Sequence, residues 1–324
     1  MAELRWNPFL RDWVMIASHR HNRPNLPRDF CPFCPGSGKV PDDYTVYCYD
    51  NDFPSLSEHP PAPDAVSGPG FETARLYGKC EVVLYSPSHT TTLPELSVPH
   101  IWELVELWIE RFAALAADPK VSYVLIFENR GELVGVTMPH PHGQIYAYPW
   151  LPKKPALEVA AAHEYFDEHG TCLFCDQIAA EERDGRRIIF ENEHFTVYLP
   201  FYTEYPYGIQ IISRRHLQNL TELTEEEIVS LAKTLKYAAG TLDALFDQPM
   251  PYMMVLHQNP VDGKDYAPFY HFHIEFYPPL RSKTQIKWNA SSETGAWAPC
   301  NPSSPEEKAE ELRAAYARFA ERQP

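Results

Sequence analysis

The sequence lacks three features that would each define a class of protein. No run approaches the roughly 20 apolar residues that a membrane-spanning helix needs, and residues 1–13 are polar and charged, without the apolar segment of a secretion signal. Lysine and arginine number 28 against 44 acidic residues, and this formal net charge of −16 argues against nucleic-acid binding through a basic surface. We therefore expect a cytoplasmic protein that binds neither membranes nor nucleic acid. A small phosphorylated ligand stays compatible, because it needs only a local cluster of arginine or lysine.

Glycine is scarce, with 14 residues, whereas the 32 prolines favour extended connections over a helical bundle. With 324 residues, 44% of them hydrophobic, the chain can form one large domain or two ordinary ones. Only seven cysteines are present, and four of them form two Cys-x-x-Cys pairs, Cys31 with Cys34 and Cys172 with Cys175. In a reducing compartment such pairs indicate metal or redox chemistry rather than a disulfide framework.

The order of features after each cysteine pair is the same, which indicates an internal duplication. An apolar strand, a Ser-x-x-His segment, an amphipathic helix, a second strand and a His-x-His segment follow in turn. The two His-x-His segments are His140-Pro141-His142 and His271-Phe272-His273. Prolines interrupt the pattern at residues 148–158. We therefore predict two domains, residues 1–155 with the catalytic site and residues 156–324.

Each copy contains two cysteines and two histidines, the donor set that tetrahedral zinc prefers. We predict two structural zinc sites, formed by Cys31, Cys34, His89 and His140 and by Cys172, Cys175, His216 and His271. The repeated ligand order is the main support, because each copy predicts the other. Two alternatives stay open: buried cysteines without a ligand, and a redox dithiol. The dithiol is disfavoured because neither pair is predicted to open a helix after a parallel strand.

The segment from His140 to Gln144 is predicted to carry the chemistry. Alternate residues of a strand share a face, so His140 and His142 should project the same way. With His140 bound to zinc, His142 can attack phosphorus directly and form a phosphoramidate. Gly143 would allow a ligand to approach the backbone, and Gln144 would donate an amide hydrogen to a phosphoryl oxygen. The alternative for His142 is a hydrogen-bonded core histidine.

The second copy differs after its His-x-His segment, where Ile274 and Glu275 replace the glycine and the glutamine. A carboxylate repels an incoming phosphate, so we predict that only the first half is catalytic. His273 and Glu275 would then either bind another metal, with Glu158 or His257, or be purely structural.

The His-Pro-His-Gly-Gln run, residues 127–131 (Phe-Glu-Asn-Arg-Gly) and residues 86–89 (Ser-Pro-Ser-His) resemble the galactose-1-phosphate uridylyltransferase family of the histidine-triad superfamily. The resemblance extends from residue 6 to about residue 293. It implies an α+β fold in which a duplicated histidine-triad-like domain forms an antiparallel half-barrel with helices packed on it, and it implies a homodimer. It also implies an activity in which His142 attacks the α-phosphorus of UDP-glucose, glucose-1-phosphate leaves, and galactose-1-phosphate takes the uridylyl group from a uridylyl-histidine.

The resemblance also implies roles for substrate-binding residues. Gln144 matches the glutamine that supports the phosphoryl group, and Thr137 stands where a serine is usual, with a hydroxyl that could serve the same purpose. The remaining matches are Arg20 and Arg23 for the phosphates, Asn51 and Asp52 for the uridine, Asn129 near the phosphates, and Lys287 and Glu293 for the hexose, partly from the neighbouring subunit.

One departure from the family concerns the metals. Its better-known members have an iron-like site in the second half, and Glu158, His257 and His273 match it, but Glu275 stands where a histidine is usual. We therefore expect zinc at the second cysteine pair and keep the iron-like site as a minor option. Two other functions stay open, namely a related nucleotidyltransferase or phosphorylase that acts on ADP-sugars, and a noncatalytic zinc-containing nucleotide-binding protein.

Overall fold

The computed structural model describes residues 2–18, 30–64 and 67–323, so the predicted phosphate-binding residues Arg20 and Arg23 lie outside the described residues. The elements of the first half are β1 (Ala2–Asn7), β2 (Asp12–Ala17), β3 (Tyr47–Asp50), β4 (Thr73–Arg75), β5 (Lys79–Leu84), α1 (Val98–Ala116), β6 (Tyr123–Arg130) and β7 (His142–Tyr148). Those of the second half are α2 (Lys153–His169), α3 (Leu173–Asp184), β8 (Ile188–Glu191), β9 (Phe195–Tyr198), β10 (Gln210–Ser213), α4 (Glu225–Phe246), β11 (Tyr252–His257), β12 (His273–Tyr277), α5 (Ser291–Ala296) and α6 (Pro305–Glu321).

A single antiparallel sheet of nine strands carries both halves, in the order β3-β5-β7-β6-β11-β12-β10-β9-β8. The order is palindromic about the β6–β11 contact, because β5, β7 and β6 correspond to β10, β12 and β11. Within the described residues the sheet has two open edges and is not a closed barrel. The predicted duplicated α+β fold with an antiparallel sheet is confirmed. A separate sheet, β2-β1-β4, was not predicted from the sequence.

Helices α1 and α4 occupy equivalent places in the two halves and contribute to one common core. The stripe of α1 that the sequence predicts is buried, with Ile101, Leu104 and Trp108 all fully inaccessible. Burial of one such side chain stabilises the fold by about 1.5–3 kcal/mol. Helix α4 begins with a capping box formed by Thr224 and Glu227. No helix among the described residues is long and apolar enough to cross a membrane.

The second half also supports segments of the first half through charged side chains. Arg130, the last residue of β6, makes a bidentate ion pair with Asp243 of α4, at 2.8 and 2.9 Å. Lys236, on the same helix, donates to the carbonyl oxygens of Pro94 and Leu96 at 2.7 Å each. These contacts tie the segments that flank the predicted site to the second half.

The structure corrects one detail of the His-x-His prediction. Strand β7 begins at His142, so His140 lies in the bend before the strand and not on it. Pro139 and Pro141 flank this bend. Proline has no N–H group to donate to a neighbouring strand, and before the start of β7 no such hydrogen bond is needed. The two imidazoles nevertheless lie on the same side, since both rings pack edge-on against Phe33, at centroid distances of 5.9 and 5.5 Å.

Candidate active site and metal centres

The four predicted ligands of the first zinc site are brought together from three separate segments. Their ligand atoms all lie within 4.8 Å of one another. The Sγ atom of Cys34 is 3.4 Å from Nδ1 of His89 and 3.6 Å from Nδ1 of His140, and Cys31 Sγ is 3.7 Å from the same His140 nitrogen. Nε2 of His140 donates to the carbonyl oxygen of Ser86 at 2.8 Å, which leaves the Nδ1 lone pair for a metal. Two sulfurs and two such nitrogens fit zinc.

The second predicted set, Cys172, Cys175, His216 and His271, also forms one group within 4.8 Å. Cys175 Sγ lies 3.2 Å from Nδ1 of His216 and 3.3 Å from Nδ1 of His271. Nε2 of His271 is 2.8 Å from the hydroxyl of Ser213, and Nε2 of His216 donates to a backbone carbonyl at 2.8 Å. Cys172 is the N-cap of α3, so this pair does open a helix, but the element before it is the helix α2 and not a parallel strand.

A third group combines Glu158, His257, His273 and Glu275, again within 4.8 Å. The ring of His257 bridges the two carboxylates, with Nδ1 2.9 Å from Glu158 and Nε2 3.2 Å from Glu275. Burial alone would lower the pKa of His257, but the two carboxylates outweigh it and raise the pKa to about 9. The ammonium of Lys154 also contacts Glu275. This group and the second one were predicted as alternatives, yet they share no residue and can exist together.

The orientation of His142 is set by the backbone. Its Nδ1 is 2.8 Å from the carbonyl oxygen of His140. A carbonyl can only accept, so Nδ1 carries the proton and Nε2 carries the lone pair that a nucleophile needs. The second half repeats this geometry, with Nδ1 of His273 3.1 Å from the carbonyl of His271. This carbonyl partner was not predicted, although the spacing of two residues is the same in both copies.

Gln144 follows two residues after His142 on β7 and therefore shares its face. Its Oε1 accepts from the Asn51 amide at 3.5 Å and from the Tyr146 hydroxyl at 3.4 Å. Because the protein uses the amide oxygen, the NH2 group is the part available to a phosphoryl oxygen. Asp52, the other residue predicted to hold uridine, forms an ion pair with Lys39. The structure thus joins Asn51 to Gln144 and places Asp52 in a separate contact.

A cavity of about 660 Å³ brings three of the predicted residues together, because His142, Asn129 and Thr137 all line it. The second half supplies another part of its wall, through residues 248–251 and Leu280. Its volume is within the usual range for a small-molecule site.

Lys287 and Glu293, predicted to contact the hexose, do not line that cavity. They lie together elsewhere, with Lys287 Nζ 3.7 Å from Glu293 and 3.1 Å from Asn289 Oδ1. The same ammonium lies 5.2 Å from the centre of the Tyr205 ring. The structure therefore brings the two predicted hexose residues to each other but not to His142.

The structure gives a reason for glycine at position 143 that differs from the predicted one. A Cβ atom at this position would lie 2.5 Å from the hydroxyl of Tyr85 and 3.0 Å from the carbonyl oxygen of Phe127. The missing side chain thus makes room for the Tyr85 phenol rather than for a ligand. At the equivalent position the second half has a fully buried Ile274.

Glu128 lies opposite Gly143 in the sheet and is buried, with the Tyr252 hydroxyl 3.3 Å from its carboxylate. Burial raises its pKa from an ordinary value of 4.5 to about 7, and the nearby Arg130 offsets this only in part. A raised carboxyl pKa contributes stability that is complete at low pH and is lost as the pH rises through the folded pKa.

We therefore expect Glu128→Gln to gain stability relative to the wild type as the pH rises. The difference in the free energy of unfolding should grow by about 2 kcal/mol between about pH 5.5 and about pH 8.5. Urea denaturation at the two pH values measures it, with Glu103→Gln on the exposed side of α1 as a control for the loss of one carboxyl. A difference that does not change with pH would contradict the expectation.

Comparison with known proteins agrees with this arrangement. The family described as galactose-1-phosphate uridyl transferase, N-terminal domain, matches residues 1–152, and its C-terminal domain matches residues 158–290. The galactose-1-phosphate uridylyltransferase of Thermotoga maritima is 41% identical over 314 residues, which cover 97% of this chain and 98% of the relative. That of Rattus norvegicus is 34% identical, with 96% of this chain and 86% of the relative covered.

Solved structures agree as well. A uridylyltransferase matches with a TM-score of 0.90 and 32% identity over 98% of this chain and 99% of that chain. An ADP-glucose phosphorylase from Arabidopsis thaliana, 24% identical with a TM-score of 0.75 over 97% of this chain and 99% of that chain, shares the fold. The fold and the comparisons thus define a nucleotidyltransferase built from a duplicated α+β unit on one antiparallel sheet. The chain belongs to the galactose-1-phosphate uridylyltransferase family, as the sequence motifs predicted.

Proposed function

We propose that this chain transfers a uridylyl group from UDP-glucose to galactose-1-phosphate, giving UDP-galactose and glucose-1-phosphate. The observation that carries the proposal is the geometry of His142. Its ring is held by the carbonyl of His140, it has Gln144 two residues along the strand, and it lines a cavity with Asn129 and Thr137. The curated relatives with 34–41% identity bear the name of this activity.

In the first half-reaction, Nε2 of His142 attacks the α-phosphorus of UDP-glucose and forms a P–N bond. The P–O bond to the β-phosphate breaks, and its electron pair leaves with glucose-1-phosphate. The amide of Gln144 donates to an α-phosphoryl oxygen as charge develops there. The His140 carbonyl stabilises the positive charge that the ring gains. A phosphate oxygen of galactose-1-phosphate then attacks the same phosphorus, the P–N bond breaks, and the imidazole is regenerated.

Zinc is the metal that we propose for both groups of two cysteines and two histidines, which makes two ions per chain. At the first group it would crosslink the bend that carries His140 to the segments that carry Cys31 and His89, so its role there is structural. The third group contains two carboxylates and two imidazoles, a donor set that also suits iron. Because the ammonium of Lys154 already offsets the charge of Glu275, we keep an iron-like ion at Glu158, His257 and His273 as the minor option.

The finer assignments stay predictions. They are the domain boundary at residues 155 and 156, a homodimer, a cytoplasmic location, and phosphate binding by Arg20 and Arg23.

Incubation with UDP-glucose alone tests the proposed function. Each chain should release one equivalent of glucose-1-phosphate and gain the mass of one uridylyl group, located on His142 by peptide mapping. A parallel incubation with ADP-glucose separates the uridylyl reaction from one on ADP-sugars. If neither nucleotide sugar forms an adduct while the nucleotide still binds, the noncatalytic alternative holds and the proposed function is wrong.

The difference between the two halves predicts the result of Gln144→Glu, which reproduces the Glu275 of the second half. Loss of one preorganised donor should slow adduct formation by about 10²–10³-fold. Repulsion between the new carboxylate and the phosphate should make this variant slower than Gln144→Ala. Single-turnover measurement with UDP-glucose compares the two. Full activity in both variants would contradict the role of Gln144, and equal losses would contradict the role of charge.

A further inference from the structure

Asn129 and Arg130 are neighbours at the end of β6, but their side chains face opposite sides of the sheet. Both residues contribute to the wall of the cavity that His142 lines, whereas Asp243 does not. Arg130 forms the bidentate pair with Asp243, and the two side chains are only 11% and 23% exposed. Asp243 Oδ1 also accepts from the backbone N–H of Met250 at 2.8 Å, which holds the carboxylate in a defined orientation. The ion pair therefore joins the strand end that presents Asn129 to a fixed group of the other half.

Two further contacts involve the same strand end. Gly131 has a φ of +91°, and a Cβ atom there would lie 2.9 Å from Cβ of Pro251. The hydroxyl of Tyr252 lies 3.3 Å from Glu128, and its ring lies 5.5 Å from the Arg130 guanidinium carbon. Thus the residues on both sides of Asn129 are held by the second half.

We propose that Arg130 and Asp243 are positioning residues for the transfer reaction, through which the half without a nucleophile holds Asn129 in place beside His142. This inference rests on the proposed function. A guanidinium that binds a carboxylate through two parallel hydrogen bonds resists both rotation and sliding of the strand end. Precise placement matters because a displacement of about 1 Å in an active site can slow a reaction by about 10²-fold.

A second arginine–carboxylate ion pair in the chain can serve as a control for Arg130 and Asp243, because within the described residues it has no contact with the strand end that carries Asn129. Arg187 and Glu181 are paired at 2.7 Å in the second half and are more deeply buried, with exposures of 5% and 1%. Neither residue lines the cavity beside His142. Disrupting this pair should destabilise the fold without moving Asn129, so it reports what a purely structural ion pair does.

A double-mutant cycle tests the proposal, with the rate of uridylyl adduct formation at saturating UDP-glucose as the readout. Asp243→Asn alone should lower this rate by about 10–100-fold. In an Asn129→Ala background the same substitution should have little further effect, because two residues that act through one contact are not additive. Arg130→Lys, which keeps the charge but loses the fork, should give an intermediate loss. Glu181→Gln should leave the rate unchanged.

All variants are compared at a temperature where circular dichroism and zinc content match the wild type. If Asp243→Asn does not fold, Arg130→Lys completes the same cycle. The same factor in both backgrounds, or no loss in the wild-type background, overturns the positioning role while the proposed function stands. A wild-type chain that forms no adduct overturns both.

Discussion

We expect His142→Ala to lower turnover by about 10⁴-fold or more and to abolish the uridylyl adduct, because removal of a nucleophile leaves only binding and electrostatic contributions to the rate. The other half should not substitute. His273 has the same backbone-held geometry, but Glu275 follows it at the position of the glutamine, with Oε1 3.8 Å from its Nε2. Incubation with UDP-glucose, followed by intact-mass analysis and a coupled assay for glucose-1-phosphate, measures both effects.

The control for this variant is His163→Ala, on the exposed side of α2. It should keep both turnover and adduct. Zinc content equal to that of the wild type shows that His142→Ala has removed the nucleophile and not the fold. An adduct of unchanged yield in His142→Ala, on whatever residue, would remove His142 from the mechanism.

The second large effect concerns the metal of the first half. We expect Cys34→Ser to reduce zinc from two equivalents to one and to destabilise the chain by several kcal/mol, since structural zinc sites contribute about 10–16 kcal/mol of binding energy in small domains. Adduct formation should fall together with the zinc, because His140 supplies both a ligand atom and the carbonyl that holds His142. Elemental analysis, chemical denaturation and single-turnover assays measure the three effects.

Two matched variants sharpen this experiment. Cys300→Ser replaces an exposed cysteine outside the three groups and should change neither zinc nor rate. Cys175→Ser, the equivalent of Cys34 in the second half, should also remove one zinc but should slow adduct formation less. Two zinc equivalents in Cys34→Ser, or stoichiometric iron in the wild type, would require a revision of the metal assignment.

The repeated spacing explains why so much of the metal chemistry is predictable from the sequence. The first zinc site was assigned to Cys31, Cys34, His89 and His140 because the same order of ligands recurs after residue 170. The second copy thus supports the assignment made for the first, and no coordinates are needed for this comparison. Family motifs then identified His142 and Gln144. The Arg130–Asp243 pair has no such signal, since its members are 113 residues apart and neither belongs to a repeated motif.

Two interpretations changed for a physical reason of the same kind. Gly143 was assigned to ligand approach, but Tyr85, from a neighbouring strand, takes the space. Glu275 was considered a departure from an iron-like site, but the pairing of β11 with β12 places it next to His257. Lys287 and Glu293 contact each other and do not line the cavity of their own chain, so their hexose role, partly from a neighbouring subunit, stays a prediction.

The sequence by itself determined the duplication and the two sets of cysteines and histidines, and it predicted His142 as the nucleophile, because these depend on residue type and local spacing. Only the tertiary structure decided which nitrogen of His142 carries the proton, that the second and third candidate metal groups can exist together, and that the second half contacts the end of β6. These depend on strand register and on contacts between distant residues. The local pattern of residues does not predict which distant residue a side chain will contact, because such contacts form only when the chain folds.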